Sequence, residues 1–366
     1  MPESDLGRAE VLVATTWDCN LRCSYCFVQD HTFVGANQRM TPVTAKQVID
    51  ALDKGLIDAE TISVHLYGGE PLTNLPAVRA MVERSLAMPA GRFSFAVTTN
   101  GTVDTDEVIE LLGKARFEVI LSIDGPQEIH DQCRRTAGGV PTHERVLRFL
   151  HKLRERTDCW IRGSSVVRHG WGLGEAETYL RTLPVDVVKA QAVRVADASS
   201  FALQPAEKEA YLADLTAVGK QVIADLEAGR QPLDDRYSAR VLQLLKGESR
   251  ERFCGAGDSI FGITPDGAIR PCILLQEEPG SSLGHVSESA AIWREAGKRW
   301  REAHGPREAC SHCEALPLCG GGCPAMLSVC GSDECDLIRH NCRVARTIYN
   351  QFRERPTALL PLAGIT

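Results

Sequence analysis

From residue 10 to about residue 195, short apolar or alternating runs take turns with stretches of helical period. EVLVATT (Glu10–Thr16), TISVHLY (Thr61–Tyr67), the alternating Phe93, Phe95 and Val97, FEVILSID (Phe117–Asp124), WIRGSSVV (Trp160–Val167) and VDVVKAQAVRV (Val185–Val195) read as six strands. Between them, Ala45, Val48, Ile49 and Leu52 share one face of a helix near Thr44–Asp53. Val78, Met81 and Val82 do the same over Pro76–Leu86, and Asp104–Leu112 is helical. Val146, Leu147, Leu150 and Leu153 mark a longer helix over about Thr142–Arg154. Such alternation predicts parallel βα units with right-handed crossovers, in a sheet either doubly wound or curled toward a barrel. Either way, chemistry belongs at the carboxyl ends of the strands.

The texture changes after residue 200. Pro205–Glu227 and about Leu233–Lys246 read as two helices with few sheet signals. Past Cys254 the chain reads as loop, rich in Gly and Cys with weak helical period, until Val344, Ile348 and Phe352 mark a closing helix. The expected organisation is an α/β barrel-like domain over 8–200, a helical linker over 201–250, a cysteine-rich module over 251–345, and a C-terminal helix and tail over 346–366. A module so rich in turns has little core of its own, so bound metal is expected to supply its folding energy.

Composition narrows the options. With 366 residues, 43% hydrophobic, the chain can build one large domain with a smaller module. A formal charge of −7 argues against a nucleic-acid partner. Glu3 and Asp5 interrupt the N-terminus, which lacks the apolar run of a signal peptide, and no run of about 18 apolar residues predicts a membrane span. A cytoplasmic location is expected. The 14 cysteines are the anomaly: three lie in Trp17–Val28 and nine between Cys254 and Cys342. Without a secretory signal, that usage points to metal or cluster ligation rather than disulfides. Cys133 and Cys159 stand apart and read as ordinary buried thiols.

WDCNLRCSYCFV (Trp17–Val28) spaces Cys19, Cys23 and Cys26 as C-x3-C-x2-C after the first strand. Three thiolates on a tight loop suit a cubane with one iron left open, since a closed [4Fe–4S] cluster takes four. A zinc site with a distant fourth ligand is the alternative. YGGEPL (Tyr67–Leu72) follows strand two, TTNG follows strand three, and SIDGP ends strand four. Gly68 and Gly69 let backbone approach a ligand, and Glu70 suits an ammonium group. Near the C-terminus, Cys254 is followed by twelve residues, Gly267, four residues and Cys272. Then come Cys310-x2-Cys313-x5-Cys319-x3-Cys323 and, after a gap, Cys342. A zinc ribbon needs two C-x2-C pairs, and only Cys310 and Cys313 form one.

Between about residues 10 and 195, the chain resembles the radical S-adenosylmethionine (SAM) superfamily. The resemblance rests on Cys19/Cys23/Cys26, Gly68-Gly69-Glu70-Pro71, Thr98–Thr102 and Ser122–Pro126. It implies a partial (β/α)6 TIM-like barrel and a cluster whose open iron chelates the amino and carboxylate groups of SAM. Tyr25 matches the aromatic that lies against the adenine, Ser122 a ribose contact, and Arg134 or Arg135 a carboxylate contact. The later cysteines resemble the SPASM extension, which implies two auxiliary clusters and three [4Fe–4S] clusters in all. By position, Cys254, Cys272 and Cys323 hold the first, and Cys310, Cys313, Cys319 and Cys342 the second. CGAGDSIFGI (Cys254–Ile263) lacks the extra cysteine some members carry, so the first auxiliary cluster either keeps an open iron or borrows Cys330 or Cys335. Cys335 also competes with Cys342.

The implied chemistry is reductive cleavage of SAM to a 5′-deoxyadenosyl radical that removes hydrogen from an unactivated carbon, with auxiliary clusters accepting an electron. No catalytic side chain is assigned beyond the clusters. The preferred class is a peptide maturase that oxidatively installs a thioether or carbon–carbon crosslink in a ribosomally made precursor peptide. Formylglycine formation of the sulfatase-maturase kind is an alternative. Those enzymes carry an Asp after the cysteine matching Cys272, where this chain has Ile273. A small-molecule radical dehydrogenase is a further alternative. Expected partners are the precursor peptide, a flavodoxin- or ferredoxin-type reductant, and a separate leader-binding protein. Only about ten residues precede strand one, too few for a leader-binding domain.

Overall fold

The computed structural model describes residues 7–26, 28, 38–196, 198–275 and 280–363, the side chain of Ser332 excepted. The last three residues of the expected C-terminal tail, and residue 27 of the cysteine loop, lie outside the described residues. The chain folds as two compact units, one of Asp5–Gly163 with Gly255–His304, the other mainly of Ser164–Cys254 with Gly305–Thr366.

The first unit is built on strands β1 (Arg8–Thr16), β2 (Thr61–Gly68), β3 (Phe93–Thr99) and β4 (Glu118–Ser122), paired in parallel in that order. Val13 faces Leu66, Val64 faces Phe95, and Val97 faces Val119 across the ladders. Helices α1 (Pro42–Gly55), α2 (Leu75–Ser85) and α3 (Asp106–Lys114) connect them, and α4 (Gln127–Cys133) and α5 (His143–Arg156) follow β4. Burial explains the sequence pattern. The end of β1 is buried on both faces, which is why it reads as a continuous run rather than an alternation. In α1 the Thr41 side chain accepts from Thr44 N, Pro42 opens the first turn, and Ala45, Val48, Ile49 and Leu52 face inward.

The loop texture expected past Cys254 is corrected here. β7 (Ile260–Ile263) lies parallel along β1, with Val11 facing Phe261, and β8 (Ala268–Arg270) and β9 (Gly284–His285) extend that edge antiparallel. Helix α9 (Ala290–Ala303) follows, anchored by buried Trp293 and Trp300. Trp293 meets Phe261 edge-on at 5.0 Å between ring centroids and lies against Gly55, where a Cβ would fall 1.9 Å from the indole. These elements escape a periodicity reading because β7 is four residues long with a glycine inside, and α9 buries only Trp293, Gly297 and Trp300.

Strand β5 (Trp160–Val167) falls where the chain passes from one unit to the other. The second unit holds α6 (Leu173–Leu180), β6 (Val187–Ala192), α7 (Pro205–Glu227), α8 (Ser238–Lys246), the short α10 (Leu316–Cys319) and α11 (Pro324–Phe352). α11 is the second correction: it starts twenty residues before Val344 and bends at Gly331 (φ 52°, ψ −127°). α7 packs on it so closely that a Cβ at Gly219 would lie 2.3 Å from Val344. Among the described residues, no helix is long and apolar enough to cross a membrane.

Candidate functional site

In the first unit the carboxyl ends of β1 to β4 converge. The cysteine loop leaves β1 at Thr16 and is held by backbone bonds to the end of α4 and the residues just after it, Ser24 N to Cys133 O at 3.2 Å and Arg22 N to Arg135 O at 2.8 Å. Cys19 Sγ accepts from Leu21 N at 3.4 Å and from Asn100 Nδ2 at 3.7 Å. Burial pushes the Cys19 thiol up to about 12 and Cys23 to about 11, and the neighbouring cysteines reinforce it. Three thiolates can share this pocket only with a cation among them, which is the setting an iron cluster supplies.

The GGEP segment follows β2 against that loop. Gly69 N donates to Thr16 O and Glu70 N to Asp18 O, both at 2.9 Å. Gly68 sits at φ 119°, and a Cβ on Gly69 would stand 2.2 Å from Asp18 O. Only glycines allow this approach. Glu70 is buried and accepts from Leu72 N (3.1 Å), Thr99 Oγ1 (2.9 Å) and Asn100 N (2.7 Å). Burial raises its pKa to about 7 against those three donors. Asn100 Nδ2 donates to Asn20 Oδ1 at 2.9 Å, and Asn20 Nδ2 to Thr102 Oγ1 at 2.8 Å, tying TTNG to the cysteine loop. Pro71 accepts from Thr15 Oγ1 through its carbonyl.

Tyr25 donates its hydroxyl to Asp124, and Arg134 Nε donates to the other Asp124 oxygen at 3.0 Å. The Arg134 guanidinium stands 5.5 Å from the Tyr25 ring centroid. The Arg135 side chain instead donates to Gly139 O, so of the two side chains it is that of Arg134 that stands at the cysteine loop. Asp124 is the residue missed by the sequence reading; it lay inside SIDGP, which was quoted as a strand end and as part of the resemblance without a role for its carboxylate. His130, also missed, accepts from Asp124 N through Nδ1, and burial lowers its pKa to about 4. Ser122 ends β4, half-buried.

Cys272 follows β8. Its carbonyl carbon and Ile273 N press on Gly262, where a Cβ would be 2.7 and 2.4 Å away. Ile273 is 1% exposed and packs with Ala14 and Trp17, with Leu12, Val28 and Tyr67 around them. An apolar wall therefore flanks the cysteine loop here.

In the second unit, Cys323 N-caps α11 with Cys254, Arg194 and Glu334 nearby. Cys310 and Cys313 share a turn, and Cys313, Cys319 and Cys342 pack around Ala315, Leu318 and Ile338. Gly320, Gly321 and Gly322 all have positive φ, and this wrap aims the Gly321 and Gly322 N–H groups at Cys319. Donors of that kind suit a cluster thiolate. Among the described residues no cysteine pairs are bridged, and no three His, Cys, Asp or Glu side chains close on a single ion. Cys133 and Cys159 are buried.

Residues 13–182 match the Radical SAM superfamily, and residues 254–314 match the SPASM iron–sulfur cluster-binding domain. The chain is 29% identical over 154 residues to the radical SAM cyclopropyl synthase TigE of Paramaledivibacter caminithermalis, covering 38% of this chain but only 31% of that protein. It is 23% identical to a cysteine-type anaerobic sulfatase-maturating enzyme of Clostridium perfringens strain 13 (83% of this chain, 85% of that one). Identity to a PqqA peptide cyclase of Bradyrhizobium diazoefficiens is also 23% (86% and 80%). The fold matches native anSMEcpe with bound AdoMet and Cp18Cys peptide at a TM-score of 0.74, with 18% identity over 98% of this chain and all of that one.

The chain is a radical SAM enzyme with a SPASM domain, built on the partial barrel of that superfamily. Those two domains imply SAM and iron–sulfur clusters as its cofactors.

Proposed function

We propose that this enzyme oxidatively crosslinks a ribosomally made peptide, forming a thioether or a carbon–carbon bond. When bound, SAM and the reduced cluster supply a 5′-deoxyadenosyl radical able to take hydrogen from an unactivated carbon. Cys19, Cys23 and Cys26 would hold that cluster, Glu70 would receive the SAM amino group, and Gly68, Gly69 and Pro71 would shape its cradle. Tyr25 would lie along the adenine, with Asp124 and Arg134 fixing its ring, and Ser122 would meet the ribose. Cys254, Cys272 and Cys323 would belong to one auxiliary cluster and Cys310, Cys313 and Cys319 to another.

Ile273 carries the choice of reaction. Formylglycine formation needs a base beside the substrate thiol or hydroxyl, and Ile273, packed on Trp17 and Ala14, has no atom that takes a proton. The relatedness of a peptide cyclase supports a peptide substrate. The near end-to-end relatedness of the C. perfringens maturating enzyme favours the second reading, formylglycine formation.

Mass spectrometry separates the two. A Cys-x-Pro-x-Arg peptide is expected to yield 5′-deoxyadenosine without aldehyde. The native precursor, found as a short open reading frame beside the gene, is expected to come back about two mass units lighter, for two hydrogens lost. An aldehyde on the first peptide would overturn the proposal, and Ile273→Asp is its control.

A further inference from the structure

Family spacing gives the second auxiliary cluster Cys310, Cys313, Cys319 and Cys342 as ligands, yet the cavity these residues surround shows a different fourth thiol. A space of about 170 Å³ in the second unit is lined by Cys310, Cys313, Cys319 and Cys335, with Arg307 and Arg339 beside them. Arg307 Nη2 donates to Cys335 Sγ at 3.0 Å, and Arg339 stands close to both Cys313 and Cys335. Cys342 does not line the space. It is 1% exposed in the group of Ala315, Leu318 and Ile338, with Cys319 close by, and its thiol is hydrogen-bonded to Arg240.

Helix geometry makes the exchange natural. Cys335 and Cys342 are seven residues apart on α11, both after the bend at Gly331, so they share one face two turns apart. A ligand must present its sulfur to the cavity. Cys335 does so with Arg307 donating to its sulfur, whereas Cys342 turns its thiol to Arg240, and neither of those two lines the cavity.

We infer that Cys335, not Cys342, is the fourth ligand of the auxiliary cluster held by Cys310, Cys313 and Cys319. Cys342 is then a buried packing residue held by Arg240. The inference rests on these cysteines holding a cluster at all, and the test separates the two.

The anaerobically reconstituted full chain is analysed for iron and by Mössbauer spectroscopy, as wild type, Cys335→Ser and Cys342→Ala, the last keeping the buried position apolar. Cys335→Ser is expected either to lose about four irons per chain or to keep them with a changed, oxygen-ligated iron site. Cys342→Ala is expected to keep wild-type iron and an unchanged spectrum. In parallel, iodoacetamide labelling read by peptide mapping is expected to modify Cys335 in the iron-free chain and to spare it in the loaded one. Loss of this cluster in folded Cys342→Ala, or equal labelling of Cys335 with and without iron, would overturn the inference. A wild-type chain that binds no iron beyond the cubane of Cys19, Cys23 and Cys26 would overturn the cluster assignment beneath it.

Discussion

Replacing Glu70 by Gln removes one charge from the convergence of β2 and β3 while keeping its shape. In the wild type the carboxylate accepts three hydrogen bonds, from Leu72 N, Thr99 Oγ1 and Asn100 N, yet burial still raises its pKa from 4.5 to about 7. Between those values the folded chain holds a proton that the unfolded chain has released. Stability without SAM therefore falls as pH rises from 4.5 through 7, by about 3 kcal/mol in all. The amide introduced by Glu70→Gln cannot titrate, so that slope should vanish. It must also turn an N–H toward one of the three donors, a fixed cost of about 1–3 kcal/mol at every pH. The effect on SAM has the opposite sign. Deprotonation above pH 7 makes Glu70 a charge-assisted acceptor for the ligand's ammonium group, worth about 1.5–3 kcal/mol, or roughly 10- to 150-fold in affinity. SAM binding to wild type should thus tighten through pH 7, and binding to Glu70→Gln should be weaker and flat. Equilibrium dialysis on the reconstituted protein from pH 5.5 to 8, with melting curves on SAM-free samples, measures both. Identical pH slopes in the two proteins would refute the reasoning.

Replacing Cys19, Cys23 and Cys26 together by Ala should remove about four of roughly twelve irons and abolish SAM cleavage, read by iron analysis and by 5′-deoxyadenosine yield. Retained cleavage would remove the basis for the radical assignment. Gly69→Ala puts a Cβ 2.2 Å from Asp18 O and 2.6 Å from Trp17 O, both backbone atoms, so the cysteine loop must shift. A cost of about 1–3 kcal/mol in unfolding free energy and weaker SAM binding are expected, and a wild-type melting curve would count against it. Ile273→Ala should cost about 2–5 kcal/mol by opening a cavity against Trp17, measured by denaturant unfolding.

Much of the barrel was legible along the chain because its elements follow short-range rules. The apolar face of Ala45, Val48, Ile49 and Leu52 has the period of a helix, and Trp160–Val167 appears in the structure with the bounds read from the sequence. The spacing of Cys19, Cys23 and Cys26 stood out because thiols that are to share one cluster must come from a short stretch of loop. GGEP was legible because its glycines relieve a backbone clash. Tertiary structure decided what depends on distant neighbours. β7 is a strand because β1 offers an open edge to four residues that carry no strand signal alone. Asp124 matters because Tyr25 and Arg134, from a different loop and the end of a short helix, meet on it. Cys335 and Cys342 share one face of the same helix, two turns apart. Only the packing of Ala315, Leu318 and Ile338, which covers one thiol and leaves the other beside Arg307, tells them apart.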